Sequence, residues 1–356
     1  MKRMLALTLA LCMIFALCAC GQQTTPADPA TPADSAAPAA SETPTEKTEP
    51  TYSFKFAITA APTDPQATFA QMMIDEIEEK TNGDVAIELH TSGELGSIND
   101  VNEMIAQGAA LINYTGVDAF NATVPDLAIL NCQFCLSDPD QMTKVMASDW
   151  YKEQTETLAE EGNVRLLTNN WFTGYRHFAT KFPVSTAADF KGKNMRVADA
   201  AALIAFSKAI GCAPVVTSWN ETYTGLSNGM LDCCECPLAS LWASSIQEVT
   251  DCIVLTGHLV SCGGIAMNED IFKSMPEEYQ EIFVNAAMAA GDAYKENSLK
   301  SQEECLQLFV DAGKTIVTLS DEEQAAFKAS AANMYKDPSL GFPEGLYEMI
   351  QEIIAD

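Results

Sequence analysis

The arginines of this chain are few and close together, and arginine is the side chain best suited to binding a carboxylate. Beyond Arg3, the sequence has only Arg165, Arg176 and Arg196, whereas its other basic residues are lysines. The planar guanidinium group presents a fork of donors that matches a carboxylate bidentately, which the ammonium group of lysine does not. We therefore predict that one or both of Arg176 and Arg196 hold an anionic ligand. Arg165, which precedes a predicted strand, is assigned to the surface.

The overall charge of the chain limits the partners that it can have. The 356 residues include 49 Asp and Glu against 20 Lys and Arg, a formal net charge of -29. Such a charge argues against nucleic acid as a partner and against direct docking on anionic lipid. It does not exclude an anionic ligand, because a local site can oppose the global field. The part of the chain after residue 51 is long enough for two domains with their own cores.

The N-terminal residues are typical of an exported lipoprotein. Lys2 and Arg3 precede an apolar run at residues 5–17, which is too short to span a bilayer well and indicates the core of a signal peptide. The sequence LCACG at residues 17–21 resembles the bacterial lipobox. The resemblance implies a signal peptide at residues 1–19 and lipid attachment to Cys20. The alternative is ordinary secretion with a stray cysteine.

The segment that follows Cys20 is predicted to be a disordered tether. Residues 22–50 contain no aromatic and no large aliphatic side chain, so they cannot bury enough apolar surface to become ordered. With the lipid, the tether at residues 20–51 would hold a folded body at the outer face of a membrane. No later stretch approaches 18 uninterrupted apolar residues, so no other membrane span is predicted.

The cysteines and histidines do not form a convincing metal site. The number of cysteines in the body is odd, and we favour free, partly buried thiols over disulfides. Cys132 and Cys135, or Cys233, Cys234 and Cys236, have spacings that occur in zinc sites. The two groups are about a hundred residues apart, and the histidines stand alone in the sequence. We predict neither a metal nor a cofactor. The residues concerned are Cys132, Cys135, Cys212, Cys233, Cys234, Cys236, Cys252, Cys262 and Cys305, and His90, His177 and His258.

The hydrophobic pattern predicts an α/β fold. Strands at residues 54–58, 85–89 and 111–115 alternate with helices at 69–80 and 98–107, and this order is typical of a parallel sheet with helices on its faces. Ligands bind such sheets beyond the carboxyl ends of the strands. Thr115 and the loops at 59–64 and 92–96 are therefore predicted to lie near a cleft.

The second half of the body continues the alternation and ends in helices. Short strands are predicted at 164–168, 178–180, 194–198, 230–234 and 252–255, and helices at 200–210, 221–228 and 238–245. A helical pattern then runs over residues 276–312, about 55 Å if it is unbroken, and would bridge two domains. The alternative is a pair of helices interrupted at Gly291. Two further helices are predicted between residues 321 and 356.

Four sequence motifs, in order, resemble one family of binding proteins. They are SGELG at 92–96, GYRHF at 174–178, DFKGKNMRV at 189–197 and WNETYTGLSNGMLD at 219–232. Together they resemble the extracytoplasmic solute-binding subunit of tripartite ATP-independent periplasmic (TRAP) transporters, the DctP family. The resemblance covers about three quarters of the body, and the C-terminal helices fit it less specifically.

The resemblance implies a type II periplasmic-binding-protein fold, with two α/β domains, a ligand cleft and a long bridging helix. Residues 52–172 with 262–301 would form domain I, and residues 173–261 with 302–356 would form domain II. Closure around a small organic acid would precede its delivery to a membrane permease driven by an ion gradient. A monomer is expected.

The resemblance also implies which residues bind the ligand. Arg196 matches the arginine that binds the ligand carboxylate, and Arg176 matches a second, supporting arginine for which a structural ion pair is the alternative. Trp219 stands where the family often has an aromatic residue near the ligand, and core packing is the alternative. Trp171 precedes Arg176 in the sequence. It too is predicted either to lie near the ligand or to pack in the core.

One motif departs from the family pattern. In DCCECP at residues 232–237, Cys236 replaces an asparagine that often helps to hold the ligand carboxylate. A thiol is a weak hydrogen-bond donor, so the identity of the acid stays open. Glu235 in the same motif is included in the predicted site.

Two other classes of function remain as alternatives. A secreted enzyme is disfavoured because no nucleophile elbow, HExxH motif or persuasive Ser/His/Asp set occurs. A lipoprotein that senses a ligand without transporting it is the other alternative. We predict a binding protein for an organic-acid anion that is not an enzyme.

Overall fold

The computed structural model of the chain describes residues 49–335 and 337–355. The predicted signal peptide, Cys20 and all but the last residues of the predicted tether lie outside the described residues. The folded body is built on a mixed sheet whose strands lie in the order 85–90, 52–57, 111–115, 252–268, 164–180, 233–237, 194–197 and 213–216, with strand 315–318 paired to strand 252–268. This sheet and its helices confirm the predicted α/β class.

The first part of the body has the predicted βαβαβ order. It comprises β1 (Tyr52–Ala57), α1 (Pro65–Lys80), β2 (Val85–His90), α2 (Ile98–Ala106) and β3 (Leu111–Thr115). Both β2 and β3 pair in parallel with β1. Helix α1 begins four residues before the predicted start because Asp64 caps it and Pro65 occupies its first turn, a position where proline loses no hydrogen bond.

Two long antiparallel strands join the two ends of the sheet. After α3 (Pro139–Ala147) and α4 (Asp149–Gly162), β4 runs over Val164–Thr180, and its partner β8 runs over Cys252–Asn268. The sequence predicted separate short strands at 164–168 and 178–180 and stopped the later strand at residue 255. Four register shifts interrupt the pairing of β4 with β8, and these irregularities blur the alternation that would mark one continuous strand.

The other end of the sheet carries shorter strands. It comprises β5 (Asn194–Val197), α5 (Ala201–Ala209), β6 (Ala213–Val216), α6 (Thr222–Ser227), β7 (Cys233–Pro237) and α7 (Leu238–Ala243). Strand β5 pairs in parallel with β6 and β7, and β7 pairs antiparallel with β4. Strand β7 begins three residues later than predicted, so the whole CCECP sequence lies in a buried strand.

The C-terminal part of the chain is mostly helical. It comprises α8 (Glu269–Ser274), α9 (Glu277–Asp311), β9 (Thr315–Thr318), α10 (Asp321–Met334) and α11 (Leu346–Ala355). Helix α9 is a single helix of 35 residues, about 52 Å long, and Gly291 does not interrupt it. Its first half packs against α1 and its last turns reach α7 and β9.

The buried side chains form separate hydrophobic clusters that α9 connects. Phe283 and Tyr294 of α9 belong to the cluster around β1, whereas Phe309 belongs to a cluster around β7 and α7. A third and larger cluster includes Phe172 and Phe178 of β4. The helix therefore contributes to cores at both ends of the sheet, as a bridging helix would. The boundaries of the two domains stay a prediction. Among the described residues, no helix is long and apolar enough to cross a membrane.

Candidate binding site

Arg196 is a buried cation without an acidic partner. It lies on β5 with 5% of its surface exposed. Its Nε donates to the backbone oxygen of Thr217 at 3.1 Å, and no carboxylate among the described residues lies within ion-pair distance of it. Burial lowers the pKa of Arg196 from its usual value. A guanidinium group in this setting favours any ligand that brings a negative charge.

Trp219 lies directly against the guanidinium group of Arg196. The centre of the Trp219 ring is 5.3 Å from the Arg196 Cζ, a distance typical of a cation–π contact. Its indole nitrogen donates to the Ser244 hydroxyl at 3.0 Å, which fixes the ring in place. The side chain is half-buried. The structure therefore brings together two of the predicted site residues, although they are separated by β6 in the sequence.

Arg176, in contrast, has an acidic partner within the protein. Its Nη2 donates to Glu235 Oε1 at 2.6 Å and to the Glu235 backbone oxygen at 3.0 Å, and its Nε donates to Oε2. Glu235 is buried on β7, next to the part of β4 that carries Arg176. Burial opposes ionisation of Glu235, but the charge of Arg176 and the His258 hydrogen bond lower its pKa to about 2. The structural ion pair, considered as an alternative for Arg176, is thus present.

His258 completes this buried network. Its Nε2 lies 3.2 Å from Glu235 Oε2, and its Nδ1 lies 2.7 Å from the Thr256 hydroxyl. The ring stacks on Phe178 with centroids 4.7 Å apart. His258 stands alone in the sequence, but the fold brings it against Glu235. The sequence could not show the contact, because His258 comes from β8 and Glu235 from β7.

The Arg176 side chain reaches solvent even though protein surrounds it. It keeps 15% of its surface exposed, and it acts electrostatically on Tyr114 and Asp118, which are also partly exposed. Each of these three side chains therefore keeps some contact with solvent. Tyr114 and Asp118 were not among the predicted site residues, although both lie at or just beyond the carboxyl end of β3.

Cys236 lies on β7 next to Glu235 and opposite His177, the neighbour of Arg176 on β4. It is buried, and the charges of Arg176, Glu235 and Arg196 act on its thiol. Burial raises the pKa of its thiol to about 12 despite the two cations. Cys236 therefore presents a neutral thiol where the family commonly has an asparagine. All nine cysteines of the described residues are free thiols, and eight of them are buried.

Trp171 and Thr115 pack away from this cluster. Trp171 is fully buried, and its indole nitrogen donates to the Ala287 backbone oxygen of α9 at 2.8 Å. Thr115 is also fully buried, and its hydroxyl accepts from Asn102 Nδ2 at 2.8 Å and donates to the Gly116 backbone oxygen. These contacts satisfy the polar atoms of both side chains. They support packing roles for Trp171 and Thr115, and neither is kept in the site that we propose.

Arg165 is not the plain surface residue that the sequence suggested. Its guanidinium group makes a two-point contact with Glu269, at 2.6 Å from Nε and 2.5 Å from Nη2, and a further contact with Glu156. It also lies 5.7 Å from the Phe272 ring centre. Arg165 thus connects β4 to α8 through an ion pair. Glu269 follows β8 and Glu156 lies on α4, so these contacts form only in the tertiary fold.

Loops from the two ends of the sheet meet close to Trp219. The side-chain amide of Asn220 lies 3.5 Å from the position that a Cβ would occupy on Gly93, in the predicted SGELG motif. The Thr63 hydroxyl donates to the Ala243 backbone oxygen at 3.5 Å. These contacts close one side of the region that holds Arg196. No group of side chains suited to a metal ion occurs in residues 49–335 and 337–355.

Known proteins share this fold over nearly the whole body. Residues 56–339 match the family described as bacterial extracellular solute-binding protein, family 7. The chain is 24% identical over 293 residues to the sialic acid-binding periplasmic protein SiaP of Vibrio cholerae, which covers 82% of this chain and 90% of SiaP. SiaP is a periplasmic binding protein, and so are the solved relatives.

Two solved structures are similar to the chain. One is a TRAP periplasmic solute-binding protein from Ochrobacterium anthropi with bound L-fuconate, at a TM-score of 0.81, 27% identity, and coverage of 85% of this chain and 99% of the other. The second is a TRAP periplasmic solute-binding protein from Actinobacillus succinogenes with bound L-galactonate. Its TM-score is 0.79 and its identity 27%, and the match covers 85% of this chain and 99% of the other. The fold and these matches define the class as the solute-binding proteins of TRAP transporters. The chain belongs to family 7 of the bacterial extracellular solute-binding proteins, the DctP family.

Proposed function

We propose that this chain captures a carboxylate anion outside the cytoplasm and delivers it to a TRAP membrane permease. The observation that carries the proposal is the buried Arg196 side chain, which has no acidic partner among the described residues. L-fuconate and L-galactonate, bound by two relatives of the same fold, are both organic acids. Class, fold and site chemistry therefore support the same kind of ligand.

The physical argument depends on the cost of an isolated buried charge. A cation removed from water loses several kcal/mol of hydration unless a counter-charge and hydrogen bonds replace the water. The terminal nitrogens of Arg196 make no hydrogen bond to the described residues, so two donors are free to bind a carboxylate side by side. Trp219 holds the guanidinium plane from one face, which orients the fork before the ligand arrives.

The supporting parts of the site have different roles. Arg176 is neutralised by Glu235 and keeps some contact with solvent, so it can donate to a ligand without contributing a full uncompensated charge. Cys236 supplies a small, weakly polar surface beside the arginines. We also propose that the two predicted domains close over the ligand as a monomer and that Cys20 carries a lipid anchor.

A ligand screen followed by an arginine variant tests carboxylate binding. Purified body, residues 49–356, is screened by thermal shift against monocarboxylates, dicarboxylates and the corresponding neutral amides and alcohols. We expect at least one acid to raise the melting temperature and its neutral counterparts to have no effect. Arg196→Ala should abolish the shift. An unchanged shift in Arg196→Ala, or a screen in which only neutral solutes act, would rule out the proposed anchor.

A separate experiment tests the lipid anchor. The full chain and its Cys20→Ser variant are expressed in a bacterial host and partitioned between detergent and aqueous phases. The full chain should follow the detergent phase, whereas the variant should appear in the aqueous phase or the medium. Equal partitioning of the two proteins would contradict lipidation at Cys20 and would leave the ligand site unaffected.

A further inference from the structure

Cys132 and Cys135 stand at the two ends of one tight turn. The backbone nitrogen of Cys135 donates to the backbone oxygen of Cys132 at 3.2 Å, which closes a four-residue turn. Phe134, the third residue of this turn, has a φ of 60°, and a type II turn requires a positive φ there. The Cα atoms at the ends of such a turn lie less than about 7 Å apart, and a disulfide needs about 4.4–6.8 Å. The backbone therefore brings the two cysteines within bridging range.

Both cysteine side chains enter the same part of the interior. Cys132 is 0% exposed and Cys135 is 1% exposed, and both belong to the hydrophobic cluster that includes Phe172. Burial raises the pKa of the Cys132 thiol, and the neighbouring Cys135 adds to this shift. The thiols are thus neighbours in an apolar environment, where they are free in the structure.

Three hydrogen bonds hold this turn against β8, α11 and the residue that follows α10. They join Phe134 N to His258 O at 2.8 Å, the Tyr335 hydroxyl to Gln133 O at 2.7 Å, and Gln351 Nε2 to Cys135 O at 2.9 Å. A residue other than glycine keeps a positive φ only where its surroundings impose it. Because His258 also contacts Glu235, the turn supports the buried network that neutralises Arg176.

Cysteine pairs within the sheet are too far apart to bridge. Cys233 and Cys252 lie on β7 and β8 with β4 between them, since Thr180 pairs with both. Cys212 directly precedes β6, and β5 separates β6 from the strand that carries Cys233. Two strand spacings amount to about 9.6 Å, which exceeds the limit of about 7 Å between the Cα atoms of a disulfide.

We propose that Cys132 and Cys135 form a disulfide bond once the chain is outside the cytoplasm, and that this bond fixes the turn that holds His258. The inference rests on the proposed location of the protein and is independent of its ligand. Disulfides form and persist in oxidising compartments outside the cytoplasm.

The bond forms by thiol–disulfide exchange with a low-molecular-weight disulfide such as oxidised glutathione. One protein thiolate attacks the external disulfide and releases one thiol, and the second protein thiolate then attacks the mixed disulfide and releases the other thiol. The two protein thiols lose two electrons and two protons in total, and the external disulfide becomes two thiols. Because burial makes both protein thiols unreactive, the exchange takes place before folding is complete.

A peptide map of the refolded chain tests the bond. Trypsin cuts after lysine and arginine, so residues 81–144 form one fragment with only Cys132 and Cys135, and residues 209–273 form another with six cysteines. The chain exported by a bacterial host is reduced, unfolded in urea, refolded with reduced and oxidised glutathione, and alkylated before digestion. We expect fragment 81–144 to carry no alkyl group and to be lighter than its reduced form by two hydrogens.

The masses of the two fragments decide the outcome. Fragment 209–273 should carry an alkyl group on each of its cysteines, because the sheet holds them apart. Two alkyl groups or two glutathione molecules on fragment 81–144 would overturn the proposal. A bridge within fragment 209–273 in place of one within fragment 81–144 would overturn it as well.

Melting with and without dithiothreitol tests whether the bond fixes the fold. Reduction should lower the melting temperature of the refolded wild type by ~2–5 °C, because the bond restricts the unfolded chain. Cys132→Ala and Cys135→Ala should each melt at the same temperature with and without the reductant. Cys305→Ala, at a partly buried position on α9, is the control and should keep the wild-type difference. The wild-type difference in all three variants would contradict a bond at this turn.

This test is separate from the test of the proposed function. The peptide map contains no ligand, so a bridged fragment supports the disulfide even if the screen finds no carboxylate. An unbridged fragment rejects the disulfide and leaves the assignment of Arg196 unchanged.

Discussion

At the scale of single residues, Arg176 and Arg196 differ in whether the protein itself supplies a counter-charge. Arg176 is paired with Glu235 and Arg196 is not. The sequence placed both in motifs but could not separate their roles, because Glu235 is 59 residues from Arg176. The pairing depends on β4 and β7 becoming neighbours in the sheet. A buried charge without a partner lowers the stability of the empty protein and increases its affinity for an anion.

Replacing Arg196 by methionine should therefore have opposite effects on stability and binding. Arg196→Met removes an unpaired buried charge and keeps much of the side-chain volume, so the unliganded protein should be as stable as the wild type or more stable by ~1–3 kcal/mol. The carboxylate should lose ~2–5 kcal/mol of binding free energy. Urea unfolding and calorimetry measure the two effects. Loss of stability in the empty protein would contradict an uncompensated charge at Arg196.

Replacing Glu235 should destabilise the empty protein, in contrast to replacing Arg196, because Glu235 neutralises Arg176. Glu235→Gln keeps the shape of the side chain but leaves the largely buried Arg176 without a counter-charge, so we expect the free energy of unfolding to fall by ~3–5 kcal/mol. Glu156→Gln is the matched control, because Glu156 contacts Arg165 at an exposed position, and it should cost less than ~1 kcal/mol. Urea denaturation compares the two. Similar losses in both variants would show that the Arg176–Glu235 pair contributes no more to stability than an exposed ion pair.

At the scale of elements, the long helix α9 depends on a glycine for close packing. The sequence suggested that Gly291 could interrupt the helix, since glycine is a poor helix former. In the structure a Cβ at this position would lie 2.1 Å from Asn170 Oδ1 and 2.6 Å from Trp171 Cδ1. Gly291 is needed because β4 approaches the helix backbone here. The two contacted residues also donate to helix carbonyls, at Met288 and Ala287.

Gly291→Ala is predicted to destabilise the protein, against the usual trend for helices. An alanine gains ~1 kcal/mol of helix propensity, but the clash with Asn170 and Trp171 should cost more, for a net loss of ~1–3 kcal/mol. Ala289→Gly, on the exposed side of the same helix, is the control and should lose ~1 kcal/mol through propensity alone. Thermal unfolding measures both. A higher melting temperature for Gly291→Ala would disprove the close approach.

At the scale of the whole molecule, buried histidines make stability depend on pH. Burial and the neighbouring His258 lower the pKa of His177 from 6.5 to about 3, while its Nδ1 accepts from the Gly257 backbone at 3.0 Å. Between these two pH values the unfolded chain binds a proton that the folded chain does not bind. The stability contributed by neutral His177 is therefore full above pH 6.5 and decreases as the pH falls through this window.

We predict that His177→Gln flattens the dependence of stability on pH below 6.5. One proton taken up on unfolding corresponds to ~1.4 kcal/mol for each pH unit, and the variant should lose this contribution. Its amide oxygen can still accept from Gly257, so much of the stability at pH 7.5 should remain. Urea unfolding between pH 5.0 and 7.5 measures the slope. A slope equal to that of the wild type would show that His177 does not contribute to the pH dependence of stability.

Local pattern by itself determined most of the elements and the class of the protein. Strands β1, β2 and β3, the helix α1 apart from its capped first turn, and the α/β class follow from alternation, periodicity and end residues, which act between neighbours along the chain. The motif order around Arg176 and Arg196 was enough to indicate the DctP family, which the match over residues 56–339 confirms. These features depend on interactions between residues that are close in the sequence, so the sequence alone is enough to predict them.

Only the tertiary structure decided how the charged residues are partnered. It paired Arg176 with Glu235 and Arg165 with Glu269, left Arg196 against Trp219, and placed Trp171 beneath α9. It also joined the short predicted strands into the longer strands β4 and β8. The physical reason is that burial and counter-charge depend on residues distant in sequence, and only packing determines which of them meet.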